Sequence, residues 1–402
     1  MKEEDILYGG GVSAEVDLGV GNDDATGEKL NEIRLNSPVI PRHYDLRFTS
    51  IDMVKHTFEG VVTIDIEAIA ESKDSITLHA LELNILEAKL FETKQAFGET
   101  NLVDDSLPAD IYETIASYSS ANEVIGTDVV DHPFLNAPVK TLRCFEGEEF
   151  MYNVRHQTCT IKFAKPDSFQ TSFHAKLPIV RPGTSYQLEI SFAGILNDQM
   201  HGLYRSIYTS LDGETECTMA STHFEATNAR RAFPCFDEPA LKSTFQLTVT
   251  IPLQSPQTGR PMRCISNTPI VEEHTTLHKM EDGSFKNLKT YKFDVTPKMS
   301  SYLVAIVVGE FDSICATSAK TGIRTTIYTV PGKAHMAHFC LEVASKCLDL
   351  FSDLFDVPYP LQKSDLIAIP DFAAGAMENW GCVTYREAKV SNSTTKINCT
   401  SF

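Results

Sequence analysis

Apolar side chains at every second position constrain this chain more than any other feature. Phe58, Gly60, Val62, Ile64 and Ile66 alternate with Glu59, Thr63, Asp65 and Glu67. That period of two marks a strand with one buried face and one wet face. It returns at Tyr186, Leu188, Ile190 and Phe192, at Phe245, Leu247, Val249 and Ile251, and at Tyr291, Phe293 and Val295. Residues 302–308 are continuously apolar and read as a strand buried on both faces. With Pro and Gly breaks between the runs, the pattern predicts a mainly β protein with a large antiparallel β domain over residues 38–309. Residues 1–37 are glycine- and acid-rich without a sustained apolar period, and are expected to be a disordered tail. Residues 99–139 carry eight acids and no Lys or Arg. They read as an acidic insertion, either a solvated surface segment or an acidic docking loop.

The character changes after residue 310. Residues 323–330 read as a strand. Over 333–355, Met336, Cys340, Val343, Cys347, Leu350 and Leu354 recur in steps of three and four, which predicts a long helix with these on its packed face. Residues 365–370 form another short apolar run. A strand, a helix and a strand after a pure β region predict the opening of a mixed α+β domain over 310–402. One helix is few for such a domain, so it reads as truncated. Its strands and helix are then expected to lack covering helices, and the bare apolar surface to drive self-association.

Charge narrows the partners. With 54 Asp and Glu against 35 Lys and Arg, the net charge is −19. That field repels phosphate backbones and anionic bilayers, so neither nucleic acid nor a membrane is an expected partner. No apolar run approaches the ~18 residues needed to span a bilayer. The start, Met1-Lys2-Glu3-Glu4-Asp5, does not have the pattern of a secretory or mitochondrial leader. Ten cysteines without a Cys-x-x-Cys pair then predict reduced thiols in the cytoplasm rather than a disulfide scaffold or zinc ribbon. The sequons at Asn392 and Asn398 are expected to stay unmodified for the same reason.

Two segments could carry chemistry. Residues 373–381, Ala-Ala-Gly-Ala-Met-Glu-Asn-Trp-Gly, hold the only Trp, four small residues in a row and one carboxylate, Glu378. Small residues let another backbone approach, as when an extended peptide adds to a sheet edge. A small-residue strand with one solvated Glu is also ordinary surface. Residues 222–239 are dense in charge yet contain Phe224, Phe233 and Phe236. The plain account there is ion pairing of Arg230 and Arg231 with Asp237 and Glu238. His335 and His338 are the one close His pair, spaced i,i+3 with no Glu between, and fall off the predicted apolar face; a solvated pair is the expectation. No G-x-S-x-G elbow, phosphate loop or dinucleotide turn occurs.

On these residues the chain resembles the zinc aminopeptidases of the aminopeptidase N type, the puromycin-sensitive ones above all. The likeness runs from Val39 to Glu387. It is carried by Pro41-Arg42-His43-Tyr44-Asp45-Leu46, Gly202-Leu203-Tyr204-Arg205-Ser206, residues 223–239, Val357-Pro358-Tyr359-Pro360 and the signature Gly375-Ala376-Met377-Glu378-Asn379. The resemblance implies a saddle-like β domain followed by the start of a thermolysin-like catalytic domain. It implies a substrate-binding set of Glu225, Glu378, Gly375, Ala376, Met377, Asn379 and His223. The two carboxylates would grip a peptide's free α-ammonium, while Gly375 and Ala376 would present backbone to it. His223 stands where the family usually has Gln lining the first side-chain pocket. The family's Zn²⁺ needs H-E-x-x-H on a helix, and no such motif occurs in these 402 residues. No catalytic residue, metal ligand or cofactor is therefore expected in this chain, although zinc belongs to the full-length family. The implied function is the N-terminal portion of a metalloaminopeptidase, inactive alone, or else a non-catalytic peptide-binding isoform. Its partners would be peptides with a free N-terminus.

Overall fold

The computed structural model describes residues 34–93, 141–164, 178–279, 283 and 285–390. Residues 1–33 of the expected tail, the acidic insertion at 99–139 and both sequons lie outside the described residues. Three sheets organise the chain. The first is ten-stranded, built from β1 (Val39–Asp52), β2 (Thr57–Ala68), β3 (Ser75–His79), β4 (Leu83–Thr93), β5 (Thr141–Asn153), β6 (Thr158–Phe163), β7 (Ser185–Ile195), β10 (Thr244–Pro252), β12 (Ile270–Lys279) and β13 (Phe285–Phe293). Its order is β12-β13-β10-β1-β2-β7-β4-β5-β6-β3, antiparallel throughout except where β1 runs parallel to β10. The second sheet, ordered β11-β14-β9-β8, contains β8 (Gly202–Thr209), β9 (Glu216–His223), β11 (Arg263–Ser266) and β14 (Ile306–Gly309).

The predicted alternation is visible in the burial. Phe58, Val62, Ile64 and Ile66 are buried on β2, and Tyr186, Leu188, Ile190 and Phe192 line β7 beside them. Two readings fail locally. Residues 302–308 are not one strand: Ser301–Leu303 form a 3-10 turn and only Ile306–Gly309 pair. A short apolar run buried on all sides has no period by which to tell a strand from a turn. Val295 lies beyond the end of β13 and is exposed.

The third sheet mixes directions. Its order is β15 (Asp312–Thr317), β16 (Arg324–Thr329), β17 (Lys363–Ile369), β19 (Cys382–Arg386) and β18 (Ala376–Met377). β17 runs parallel to both β16 and β19, as a β-helix-β crossover requires. Its side chains alternate between two cores. Ile367 and Ile369 join the large core shared with the first two sheets, while Leu366 and Ala368 pack with Leu341 and Ala337 of the helical segment.

That segment opens with a 3-10 turn, Ala334–Ala337, and continues as helix α1 (His338–Phe355). The helix packs through a different stripe from the one its periodicity suggests. Ala337 and Leu341 are buried with Cys340 and Ala344 against them, whereas Leu350 and Leu354 are 58% and 66% exposed. Apolar residues occupy more than one stripe of this helix, and the small Ala337 and Ala344 let it approach the sheet closely. The expectation that the strands of this region lie bare is corrected: β17 is covered on both faces. The bare surface is the outer face of α1, where Phe339, Phe351 and Phe355 are also exposed. A last helical turn, α2 (Glu387–Val390), buries Val390 against β17. Among the described residues no helix is long and apolar enough to cross a membrane, and the described cysteines are all free thiols.

Candidate peptide-binding site

The signature segment is held in place by residues far from it in sequence. Asp371 is bolted to β8. Its N–H donates to the Ser206 hydroxyl (2.9 Å), its Oδ2 accepts from the Ile207 N–H (2.9 Å), and its carbonyl accepts from the Tyr204 hydroxyl (2.8 Å). Phe372 is buried one residue later, and its ring lies 4.9 Å from that of His223 at the end of β9. Arg386 then spans the bend, donating from Nε to the Phe372 carbonyl and from Nη2 to that of Ala373 (3.0 and 2.6 Å). Its backbone N–H donates to the Gly375 carbonyl (3.1 Å). From there β18 pairs antiparallel with β19, Ala376 opposite Tyr385 and Met377 opposite Thr384.

β18 is the edge of its sheet, and no strand among the described residues covers its outer side. Gly375 and Ala376 are exposed, and a Cβ built on Gly375 would meet nothing within 4 Å. The seven predicted residues divide by side chain. Glu225, Glu378, Gly375 and Ala376 face solvent, whereas Met377, Asn379 and His223 are buried. Asn379 spends its amide on the Cys382 carbonyl and the Thr384 hydroxyl, both at 3.3 Å. Met377 joins the large core. These two therefore shape the turn from inside. His223 Nδ1 lies 3.2 Å from the Met200 carbonyl, which makes it the donor. Burial holds the imidazole below its ordinary pKa, with nearby His201 adding to the fall and the Met200 carbonyl and Glu225 opposing it. The neutral ring so favoured leaves Nε2 as an acceptor.

Glu225 lies two residues after His223, beyond the buried Phe224, and precedes a buried polar knot. Arg230 donates from Nε to Asp237 Oδ2 (3.0 Å), from Nη2 to the Asp237 carbonyl (3.1 Å) and from Nη1 to Gln157 Oε1 (3.1 Å). The Ser301 hydroxyl donates to Asp237 Oδ1 at 2.6 Å. The Asp237 N–H donates to His79 Nδ1 at 3.1 Å, and burial, aided by the Arg230 charge, pushes that imidazole down to about 3. His79 is thus neutral and its Nδ1 is free to accept. The expected ion pairing is half right. Arg231 pairs with Glu82 and with Asn228 instead of its neighbours, and Glu238 accepts from the Leu35 N–H.

Sequence reasoning missed the polar side chains that fix the far end of the turn. Asn267, fully buried, donates to the carbonyls of Leu303 (2.8 Å) and Trp380 (2.9 Å), and its Oδ1 accepts from the Ala305 N–H (2.9 Å). Lys363 donates to the carbonyls of Ser266 and Gly381 (2.5 and 2.8 Å) and pairs with Asp365 at 2.7 Å. Single polar residues in an apolar context have no period, so the sequence carries no signal for them.

The donor set does not suit the zinc that the family implies. Among the described residues no three His, Cys, Asp or Glu side chains gather as a metal would need. His335 and His338 are both exposed on the helical segment, with no carboxylate between them in sequence.

Comparison with known proteins agrees with this architecture. Residues 135–303 match the Peptidase M1 N-terminal domain, and residues 339–400 match the Peptidase family M1 domain. Aminopeptidase M1 of Arabidopsis thaliana is 36% identical over 356 residues, 89% of this chain but 32% of that protein. Endoplasmic reticulum aminopeptidase 1 of Homo sapiens is 33% identical over 383 residues, 94% of this chain and 32% of its own length. Puromycin-sensitive aminopeptidase of Caenorhabditis elegans is 47% identical over 212 residues, covering 53% and 21%. The chain thus spans a third or less of the relatives it matches. The β sheets that seat β18, the signature segment itself and these two matches in chain order identify the chain as a member of peptidase family M1, comprising its N-terminal domain and the opening of its peptidase domain.

Proposed function

We propose that this chain supplies the substrate-anchoring part of a cytoplasmic zinc aminopeptidase that removes single residues from peptide N-termini. The observation that carries the reading is the exposed edge of β18, followed at once by the solvent-facing carboxylate of Glu378; Glu225, also solvent-facing, joins it by resemblance. A peptide adding to that edge would pair with the backbone of Gly375 and Ala376. Its α-ammonium would meet the two carboxylates, each charge-assisted bond contributing about 1.5–3 kcal/mol. Such a site accepts a chain end and rejects an internal peptide bond. His223, whose ring packs against Phe372, stands where the resemblance puts the pocket for the first side chain.

Without an H-E-x-x-H helix these 402 residues bind peptides but do not hydrolyse them; zinc chemistry belongs to the full-length family. Purified chain is expected to release no product from an aminoacyl-amide reporter, and chelator-sensitive turnover would refute this. The second reading, a non-catalytic peptide-binding or regulatory isoform, uses the same anchors and is favoured by the intact β18 edge. Under either reading Glu378→Gln weakens a free-amine peptide about tenfold or more and leaves its N-acetylated counterpart unaffected. Equal effects on the two peptides would remove the ammonium grip. The bare outer face of α1 gives the chain a route to self-association. Nucleic acid and membranes are not partners in this account, given the net charge of −19.

A further inference from the structure

A recess that contains no residue of β18 lies between the second and third sheets. It is a cleft of about 400 Å³ between β11 and the paired strands β16 and β17, and Arg263, Arg324, Lys363, Asp365, Tyr328 and Gln362 are among its walls. Three cations against one carboxylate is an unusual lining in a chain of net charge −19. Seven arginines elsewhere, Arg42, Arg47, Arg181, Arg205, Arg230, Arg231 and Arg260, pair with carboxylates, and Arg386 gives its donors to the Phe372 and Ala373 carbonyls. Among the described residues neither Arg263 nor Arg324 pairs with a carboxylate, and the one side-chain bond of Arg324 is a 3.5 Å contact with Cys315 Sγ.

Both arginines line the same cleft as Tyr328. Burial pushes the Tyr328 phenol up to about 12, Asp365 adds to the rise, and the charges of Arg263 and Arg324 oppose it. The register places Arg324 beside Lys363 and Thr326 beside Asp365 on adjacent parallel strands. The buried carboxylate of Asp365 is already met by Lys363, whose ammonium is spent on it and on two carbonyls. Two guanidinium forks with free donors therefore face one cleft. A guanidinium matches the paired oxygens of an oxyanion, and two of them together balance a dianion rather than a single carboxylate. A phosphate group carries about −1.5 to −2 charge near pH 7.

We infer that the cleft between β11 and β16–β17 is a binding site for a small phosphate-class oxyanion, held by Arg263 and Arg324. It is separate from the β18 edge and independent of the peptide-binding reading. The test is titration of the whole 402-residue protein with inorganic phosphate at constant ionic strength, followed by calorimetry and by the thermal midpoint. Saturable binding is expected, with an upward shift of the midpoint that equimolar chloride does not produce. Arg263→Gln and Arg324→Gln each weaken it about tenfold or more. Arg324→Lys, which keeps the charge but not the fork, falls between. Both positions are exposed and free of ion pairs, so these variants are expected to melt like the parent without phosphate. Absence of saturable binding, or an unchanged affinity in the double Gln variant, would overturn the assignment.

Discussion

Asp237→Ala lowers the unfolding free energy by about 3–5 kcal/mol, because it leaves the Arg230 guanidinium buried without its counter-charge. The side chains of Arg230 and Asp237 are 8% and 2% exposed, so water cannot replace the lost partner. The Ser301 hydroxyl loses its acceptor in the same step. The knot sits where the ten-stranded sheet meets the loop after β9: the His79 N–H and carbonyl pair with the Cys235 backbone, and the Phe236 N–H donates to the Tyr44 hydroxyl. Its loss thus loosens the segment that carries Glu225 as well as the core. Urea denaturation read as a midpoint shift measures the effect, with Glu342→Ala as comparison. The exposed Glu342–Lys346 pair on α1 is screened by water and is expected to leave the midpoint almost unmoved. A midpoint shift for Asp237→Ala as small as that of Glu342→Ala would mean that the knot contributes no stability.

Gly381→Ala is the second large effect, about 2–5 kcal/mol, and its cause is steric. Gly381 sits at φ +72°, a region that costs an L-residue roughly 1–2 kcal/mol. A Cβ there would lie 2.1 Å from the Asn267 carbonyl oxygen and 2.9 Å from Leu361 Cδ1. Backbone cannot yield as a side-chain tip can, so the turn must shift. That shift pulls Trp380 away from the Asn267 amide and the Gly381 carbonyl away from Lys363. Gly375→Ala is the contrast: its Cβ would project into open space and its φ is ordinary, so it costs under about 1 kcal/mol. Similar melting temperatures for the two variants would show that the turn adapts and that the overlap does not matter.

The comparison between Gly381 and Gly375 also shows how far the sequence could be read. Period-two runs identified four strands of the ten-stranded sheet, β2, β7, β10 and β13, since burying one face leaves the same mark whatever packs against it. Phe58 to Ile66 on β2 is an instance. The helix was visible but its packed stripe was not, because apolar residues at Phe339, Leu350 and Leu354 lie outside the stripe of Ala337 and Leu341 that meets the sheet. Neighbours in sequence misled the ion pairing, with Arg231 reaching Glu82 across the fold. Resemblance singled out Glu225, Glu378 and the small residues of β18. It could not show that Met377 and Asn379 turn inward, nor that Asp371, Asn267 and Lys363 hold the turn. The bonds by which Asp371, Asn267 and Lys363 hold β8, Trp380 and Ser266 join residues more than 90 positions apart, whereas the Lys363–Gly381 bond and those of Asn379 to Cys382 and Thr384 are closer in the chain.

The account rests on two carboxylates clasping one ammonium, and a double-mutant cycle tests that most directly. Affinity of a free-amine peptide would be measured for the parent, Glu225→Gln, Glu378→Gln and the double variant, with an N-acetylated peptide as reference. Each single change is expected to cost about tenfold or more for the free amine and nothing for the acetylated peptide, and the two costs fail to add by 0.5 kcal/mol or more, as for groups sharing one partner. Strictly additive losses, or equal losses for the acetylated peptide, would contradict a shared clasp at residues 225 and 378.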